Sequence, residues 1–287
     1  MSHVITSANT STTDVGAFSV EPLTPHIGAE IFGVDLSAPL TAMQVEAIRA
    51  ALLKHLVVFF RNQDITPSQL KEMAKNFGDL EIHPAAPKLS GHPEVLLIRA
   101  DKDSTFIAGE SWHSDMTPLE KPPLGSVLHL VELPESGGDT LFANMYAAYD
   151  TLSPGMQQML SELTAVHDAR VSWEWRYGEN KGPFPRHEHP LVITHPETRR
   201  RALFVNSIFT TRIVGLSKLE SDALLQFLFR HIDTPEIQCR FRWRRNSIAF
   251  WDNRSAQHRA IWDYYPQTRQ GYRVTILGEK PSFSPNQ

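Results

Sequence analysis

"SVLHLVELPESGGDTLFAN", residues 126–144, decides how the rest of the chain is read. It opens with an apolar run rich in Val and Leu and closes on a second one, "TLFAN". Between them Pro134 and the Gly137-Gly138 pair supply a turn, with no room for a helix. Strands joined this tightly belong to an architecture of consecutive strands, because a strand–helix–strand unit needs a crossover of a dozen residues or so. Outward from this stretch the same kind of run recurs: "EIFGVDL" (30–36), "LVVFF" (56–60), "LVITH" (191–195), "RALFVN" (201–206), "SIAFWD" (247–252) and "YRVTILG" (272–278). Helices are marked by their caps: Thr41 with Gln44, Thr66 and Pro67 with Gln69 before a stop at Gly78, and Ser217 with Glu220. A fourth helix is expected after Ser153-Pro154. The expected fold is mainly β with flanking helices around an antiparallel barrel or double-stranded β-helix, a jelly-roll core.

With 287 residues, 41% of them hydrophobic, the chain can bury a full core as one elaborated domain, expected over 17–287. The first 16 residues, Ser/Thr-rich and without an apolar core, read as a flexible tail rather than a signal peptide. Residues 174–190, "EWRYGENKGPFPRHEHP", read as a loop or lid. A net charge of -4 without long basic runs gives no footprint for nucleic acid, and no stretch approaches the length of a membrane span. The single cysteine, Cys239, excludes a disulfide framework or cysteine metal cluster and suits a reducing cytoplasm.

The chain has 13 histidines, so His-x-acid triplets arise by chance, and there are four: His92-Pro93-Glu94, His113-Ser114-Asp115, His195-Pro196-Glu197 and His231-Ile232-Asp233. Two carry proline in the middle, and His231-Ile232-Asp233 falls at a helix end, where histidine and a capping Asp are ordinary. In "ESWHSDMTP" (110–118) extended backbone would put His113 and Asp115 on one face, able to reach one ion. The best third ligand is His258 in "WDNRSAQHRA", after the strand "SIAFWD". Two imidazoles and a carboxylate leave three open positions of an octahedron, which suits non-haem Fe(II) and oxygen activation. Arg269 and Arg273, after His258, lie four residues apart, so one strand aims both guanidinium forks at one interior, where they call for carboxylate or sulfonate partners.

Together, "WHSD", "LPESGGDTLFAN", "LFVNSIFTTRI", "WDNRSAQH" and the ending "R…YRVTILGEKP" resemble, in family order, the taurine dioxygenase (TauD/TfdA) family of Fe(II)- and 2-oxoglutarate-dependent oxygenases. The likeness runs from about residue 20 to the end. It implies that His113, Asp115 and His258 hold the iron, that Arg269 binds the distal carboxylate of 2-oxoglutarate, and that Thr140 assists it. It implies a reaction in which 2-oxoglutarate and O2 yield succinate and carbon dioxide while a C–H bond of a small organic anion is hydroxylated. Arg273 and His83 match the family's grip on a sulfonate, and Phe209 and Trp173 match aromatic pocket walls. The chain departs at Ala86 and Gly109, where the taurine enzyme has tyrosine and asparagine, and Trp173 replaces a phenylalanine. Fewer polar side chains and a larger aromatic wall call for a bulkier or more apolar tail than taurine's. By resemblance a homo-oligomer is expected, although nothing in the chain marks an interface.

The reading that follows is a dioxygenase acting on an organosulfonate, releasing sulfite and an aldehyde. An alkyl sulfate ester or an aryloxyalkanoate would suit the same mechanism, since one arginine serves all three head groups. Two other classes remain at this point: a zinc hydrolase, which would have no use for Arg269, and a metal-free jelly-roll binding protein, which would not need His113 and Asp115.

Overall fold

The computed structural model describes residues 13–14, 18–83, 86, 88–177 and 184–285. The opening stretch splits between two sheets. Gly125–Glu132 lies between Ser247–Asp252 and Arg269–Ile276 at the centre of a nine-stranded sheet, whereas Thr140–Asn144 lies between Gln238–Phe241 and Ala256–Ala260 in a three-stranded one. The glycine turn therefore carries the chain from one sheet to the other instead of closing a hairpin. Gly137 and Gly138 stand at φ 82 and 70, where L side chains are rarely found, and a Cβ on Gly138 would lie 3.1 Å from the Cδ of Arg269. The chain makes the same crossing between Ser247–Asp252 and Ala256–Ala260. Two sheets joined by repeated crossings make the jelly-roll core.

Both faces of the large sheet are apolar, which explains the unbroken hydrophobic runs in its central strands. Val57, Phe59, Leu128, Leu130, Ala249 and Trp251 face the space between the sheets. Their neighbours Val58, Phe60, Val127, Ile248 and Phe250 face outward, under helices Ala42–His55 and Pro67–Lys75. Phe59 stacks on Phe241 across the inner space, with centroids 3.8 Å apart, and meets Phe142 edge-on at 5.5 Å.

All three expected capping boxes form, Thr41 with Gln44, Thr66 with Gln69 and Ser217 with Glu220, and Ser153 caps Pro154–Ser161. Asn144 ends its strand and caps a further helix, Met145–Asp150, which the sequence reading did not separate. The sheet is antiparallel except where Ala29–Phe32 runs parallel to Val57–Phe60. The run 174–190 is not all loop. Its first residues belong to helix Arg170–Tyr177 and its last to strand Arg186–Pro190, which pairs with Thr164–Asp168, while 178–183 lie outside the described residues. Most of the expected tail, 1–16, also lies outside them; Thr13–Asp14 pair with Ser19 and Val20. Among the described residues no helix is long and apolar enough to cross a membrane.

Candidate active site

His113, Asp115 and His258 are all buried and place one ligand atom each within 4.8 Å of the others, the single such group among the described residues. The three other triplets are engaged elsewhere. Glu94 pairs with Lys71, His195 with Asp252, Glu197 with Arg49 and Arg254, and His231 with the Ala148 carbonyl. His113 sits at an isolated bridge rather than in a strand. Its N–H donates to the His258 carbonyl at 3.1 Å, and the His258 N–H returns a bond to the His113 carbonyl at 2.9 Å. This reciprocal pair brings the ring centroids to 4.0 Å. Met116, at φ 49, then turns the chain away immediately after Asp115. Same-face projection of i and i+2 thus survives, on a bridge and turn in place of a strand.

Two of the three, His113 and Asp115, are held from behind. The Nδ1 of His113 lies 2.9 Å from the Ser111 carbonyl, which fixes the proton on Nδ1 and leaves the Nε2 lone pair facing Asp115. Ser126 donates to Oδ2 of Asp115 at 2.8 Å, and the Asp115 N–H donates to Oδ1 of Asn253 at 3.1 Å. Asn253 closes the ring by donating to the Ser126 hydroxyl at 3.3 Å and is itself anchored by the Trp251 indole at 3.0 Å. The other carboxylate oxygen, Oδ1, faces the Nε2 atoms of His113 and His258 at 3.8 and 4.0 Å. Burial pushes the Asp115 carboxyl up, but Arg273, the two imidazoles and Ser126 together pull it below the usual carboxylate range, so it is ionised. Burial and the neighbouring His113 hold His258 well below its ordinary value, so it is a neutral lone-pair donor. Two imidazoles and a carboxylate are a donor set a divalent metal takes, and His258 and Asp115 are already in the protonation states that donate to it.

Beside the triad opens a cavity of about 370 Å³ lined by His83, Ala86, Met116, Trp173, Phe209, Arg269 and Arg273, among others. Arg269 is buried, donates from Nε to the Gly138 carbonyl at 3.0 Å and from Nη2 to the Thr140 hydroxyl at 3.4 Å, and makes no ion pair among the described residues. Burial pulls its guanidinium down to about 10. A charge held out of water without a counter-ion marks a place for an anion. The Trp243 indole fixes the Thr140 hydroxyl from the other side at 2.9 Å. Arg273 also lines the cavity, as the even spacing requires, despite a bulge between Gln270 and Gly271. Its Nη1 donates to Oδ1 of Asp115 at 2.8 Å, so it reaches the candidate metal group itself. His83 accepts from the Ala86 N–H at Nδ1, 2.9 Å away, which leaves its proton on Nε2. Burial, with Arg273 adding, pulls His83 down to about 4, so at neutral pH it is an uncharged donor. Its ring lies 5.1 Å from Trp173.

Several residues here escaped the sequence reading. Ser126 is one hydroxyl in a row whose other inward members, Leu128 and Leu130, are apolar, and that break in period was its signal. Gly109, read from the sequence only as a departure in the pocket, would at φ 82 place a Cβ 2.7 Å from Cε1 of His113, so its small size keeps that ring in place. Glu81 is buried against this site, and burial pushes its carboxyl up to about 7 against the pull of Arg273 and with the push of Asp115. Nothing in its local sequence marked it.

The profile of the taurine catabolism dioxygenase TauD, TfdA family matches residues 19–275. The chain belongs to the TauD/TfdA family. As a family member it is 39% identical over 279 residues, 91% of this chain and 90% of the relative, to an alpha-ketoglutarate-dependent sulfate ester dioxygenase of Pseudomonas putida. It is 35% identical over 286 residues, 93% of this chain and 69% of the relative, to an alpha-ketoglutarate-dependent sulfonate dioxygenase of Saccharomyces cerevisiae. A crystal structure of a taurine dioxygenase from Burkholderia xenovorans superposes with a TM-score of 0.82 at 38% identity, covering 94% of each chain. The TauD/TfdA protein described here is accordingly a 2-oxoglutarate-dependent dioxygenase with a jelly-roll core, using 2-oxoglutarate as co-substrate together with a metal. The zinc-hydrolase and binding-protein readings fall with that membership.

Proposed function

We propose that this TauD/TfdA enzyme holds Fe(II) on His113, Asp115 and His258 and hydroxylates the carbon beside the sulfur of an organosulfonate. The observation that carries the reading is the pairing of a buried two-His, one-carboxylate group with two arginines lining the same cavity. When bound, the ferrous ion with 2-oxoglutarate would supply the activation of dioxygen. The chain's own residues bind and orient. Arg269 and the Thr140 hydroxyl receive the distal carboxylate of 2-oxoglutarate, and Arg273 with the Nε2–H of neutral His83 receives the anionic head of the substrate. Trp173 and Phe209 pack against its tail and exclude water. Hydroxylation inserts one oxygen atom into the C–H bond; the hydroxylated carbon then expels sulfite and becomes an aldehyde.

A second reading keeps every role and exchanges the head group for a sulfate ester, supported by the Pseudomonas relative; the same hydroxylation would then release sulfate. The enzyme is read as cytoplasmic and homo-oligomeric, to be checked by fractionation and by mass in solution.

The test is anaerobic loading with Fe(II) and 2-oxoglutarate, followed by O2 and a panel of alkyl and aryl sulfonates, alkyl sulfates and phenoxyalkanoates. Succinate rising with sulfite supports the sulfonate reading, and succinate rising with sulfate moves the substrate to the ester. Arg273→Ala should raise KM for the substrate far more than for 2-oxoglutarate, and an equal rise in both would refute this division of roles.

A further inference from the structure

We propose that Glu81 is the positioning residue of Arg273, receiving its guanidinium when a metal ion takes the Asp115 oxygen and holding it aimed into the cavity. This rests on reading Arg273 as the clamp for the substrate's anionic head. Arg273 uses Oδ1 of Asp115, the same oxygen that faces both imidazoles, while Oδ2 is occupied by Ser126. A dication among the three ligands draws on that oxygen and repels the guanidinium beside it. Arg273 then needs another counter-charge that is already in place.

Glu81 is the carboxylate in position. Its N–H donates to the Thr275 carbonyl at 2.8 Å and Leu80 bridges Ile276, so this segment runs alongside the strand that carries Arg273. Thr275 is two residues from Arg273 and shares its face. Three buried polar atoms in this patch have no hydrogen-bond partner among the described residues: Oε2 of Glu81, Nε of Arg273 and Oγ1 of Thr275. A donor and an acceptor left unpaired on neighbouring segments, close enough for Arg273 to act on the Glu81 carboxyl, would satisfy each other if the guanidinium turned from Asp115 towards Glu81. The Nε side of the fork would then lie on Glu81 and leave its other edge for the substrate's oxygens.

The test uses full-length protein loaded with Zn(II) and 2-oxoglutarate, which binds without turning over, titrated calorimetrically with hexane-1-sulfonate and with hexyl sulfate. Glu81→Gln should weaken binding of the anion that the wild type takes by about tenfold and leave 2-oxoglutarate affinity within about twofold. Glu81→Asp should recover part of the loss. In turnover, Glu81→Gln should raise the substrate KM with little change in kcat. Wild-type anion affinity in Glu81→Gln, alongside loss in Arg273→Ala, overturns the role of Glu81 and leaves the clamp standing. Wild-type affinity in Arg273→Ala brings down the clamp and this proposal with it. Equal losses for the anion and 2-oxoglutarate, with a lower melting temperature, would reduce Glu81 to a structural part and also overturn the proposal.

Discussion

Ser126→Ala tests whether the ring behind Asp115 sets metal affinity. The hydroxyl is fully buried, donates to Oδ2 of Asp115 at 2.8 Å and accepts from Asn253 at 3.3 Å. Alanine removes a hydrogen bond to an ionised group, worth about 1.5–3 kcal/mol, and strands the Asn253 amide. At about 1.4 kcal/mol per factor of ten, metal binding should weaken by about 10- to 150-fold. The usual effect of losing an outer partner of a ligand, about 10- to 100-fold, lies within that range. Two independent routes thus reach one magnitude. The assay is competition for Co(II) or Zn(II) against a chromophoric chelator, with a melting curve to confirm folding. The ring organises rather than merely fills space if Ser126→Thr retains affinity that Ser126→Ala loses. A folded Ser126→Ala protein that binds metal as tightly as wild type would refute the argument, because Asp115 would then need no support from that side.

Three further outcomes are expected. Gly109→Ala should lower metal affinity at least about tenfold, because its Cβ would meet His113 at 2.7 Å on backbone at φ 82; unchanged affinity would mean the ring has room to move. Arg269→Met should abolish the thermal stabilisation that 2-oxoglutarate gives the metal-loaded wild type, yet melt no lower than wild type without ligands, since it removes a buried charge lacking a counter-ion; a large drop in the ligand-free melt would show the cation to be structurally paired. His83 sits at about 4 in the folded protein against an ordinary value of 6.5, so the unfolded chain takes up its proton first. Its contribution to stability is complete above 6.5 and is lost as pH falls from 6.5 towards 4, at most about 3 kcal/mol. The metal-free melting temperature of wild type should accordingly fall more steeply over that range than that of His83→Gln, and parallel curves would reject the assignment.

The sequence made the fold legible where one physical constraint acted alone. Side-chain caps are local, so the boxes at Thr41, Thr66 and Ser217 could be read directly and all form. Strands buried on both faces leave unbroken apolar runs, so "LVVFF" and "SIAFWD" were equally plain. What stayed hidden depends on pairing between distant segments. The turn after Glu132 looks like a hairpin turn, yet the flanking strands find partners in different sheets, because only that crossing lets both bury an apolar face on the inner core. His113, Asp115 and His258, which the structure brings together, were legible by residue type and spacing, whereas Ser126 and Asn253 reach Asp115 from 11 and 138 positions away in the chain and Glu81 bonds to the Thr275 carbonyl, which no local pattern encodes.

The site also accounts for some of the buried polar atoms that have no hydrogen-bond partner among the described residues, although others, such as both ring nitrogens of His129, do not line its cavity. Arg269 without a counter-ion, Nε of Arg273, Oε2 of Glu81 and Nδ1 of His258 all lie at or beside the cavity and the triad. Each is a cost to the fold, and a stability-driven sequence would replace them with apolar groups of the same shape. On the proposed function, these groups keep charge and hydrogen-bonding capacity in reserve for a dication and two anions. Stability should therefore rise in steps as these are supplied. Metal should act first through Asp115 and the histidines, 2-oxoglutarate next through Arg269, and the substrate anion last through Arg273. Calorimetric melts after each addition should show three separate increments. An anion that stabilises the metal-free protein as much as the metal-loaded one would break this order, because Arg273 would then bind it without first leaving Asp115.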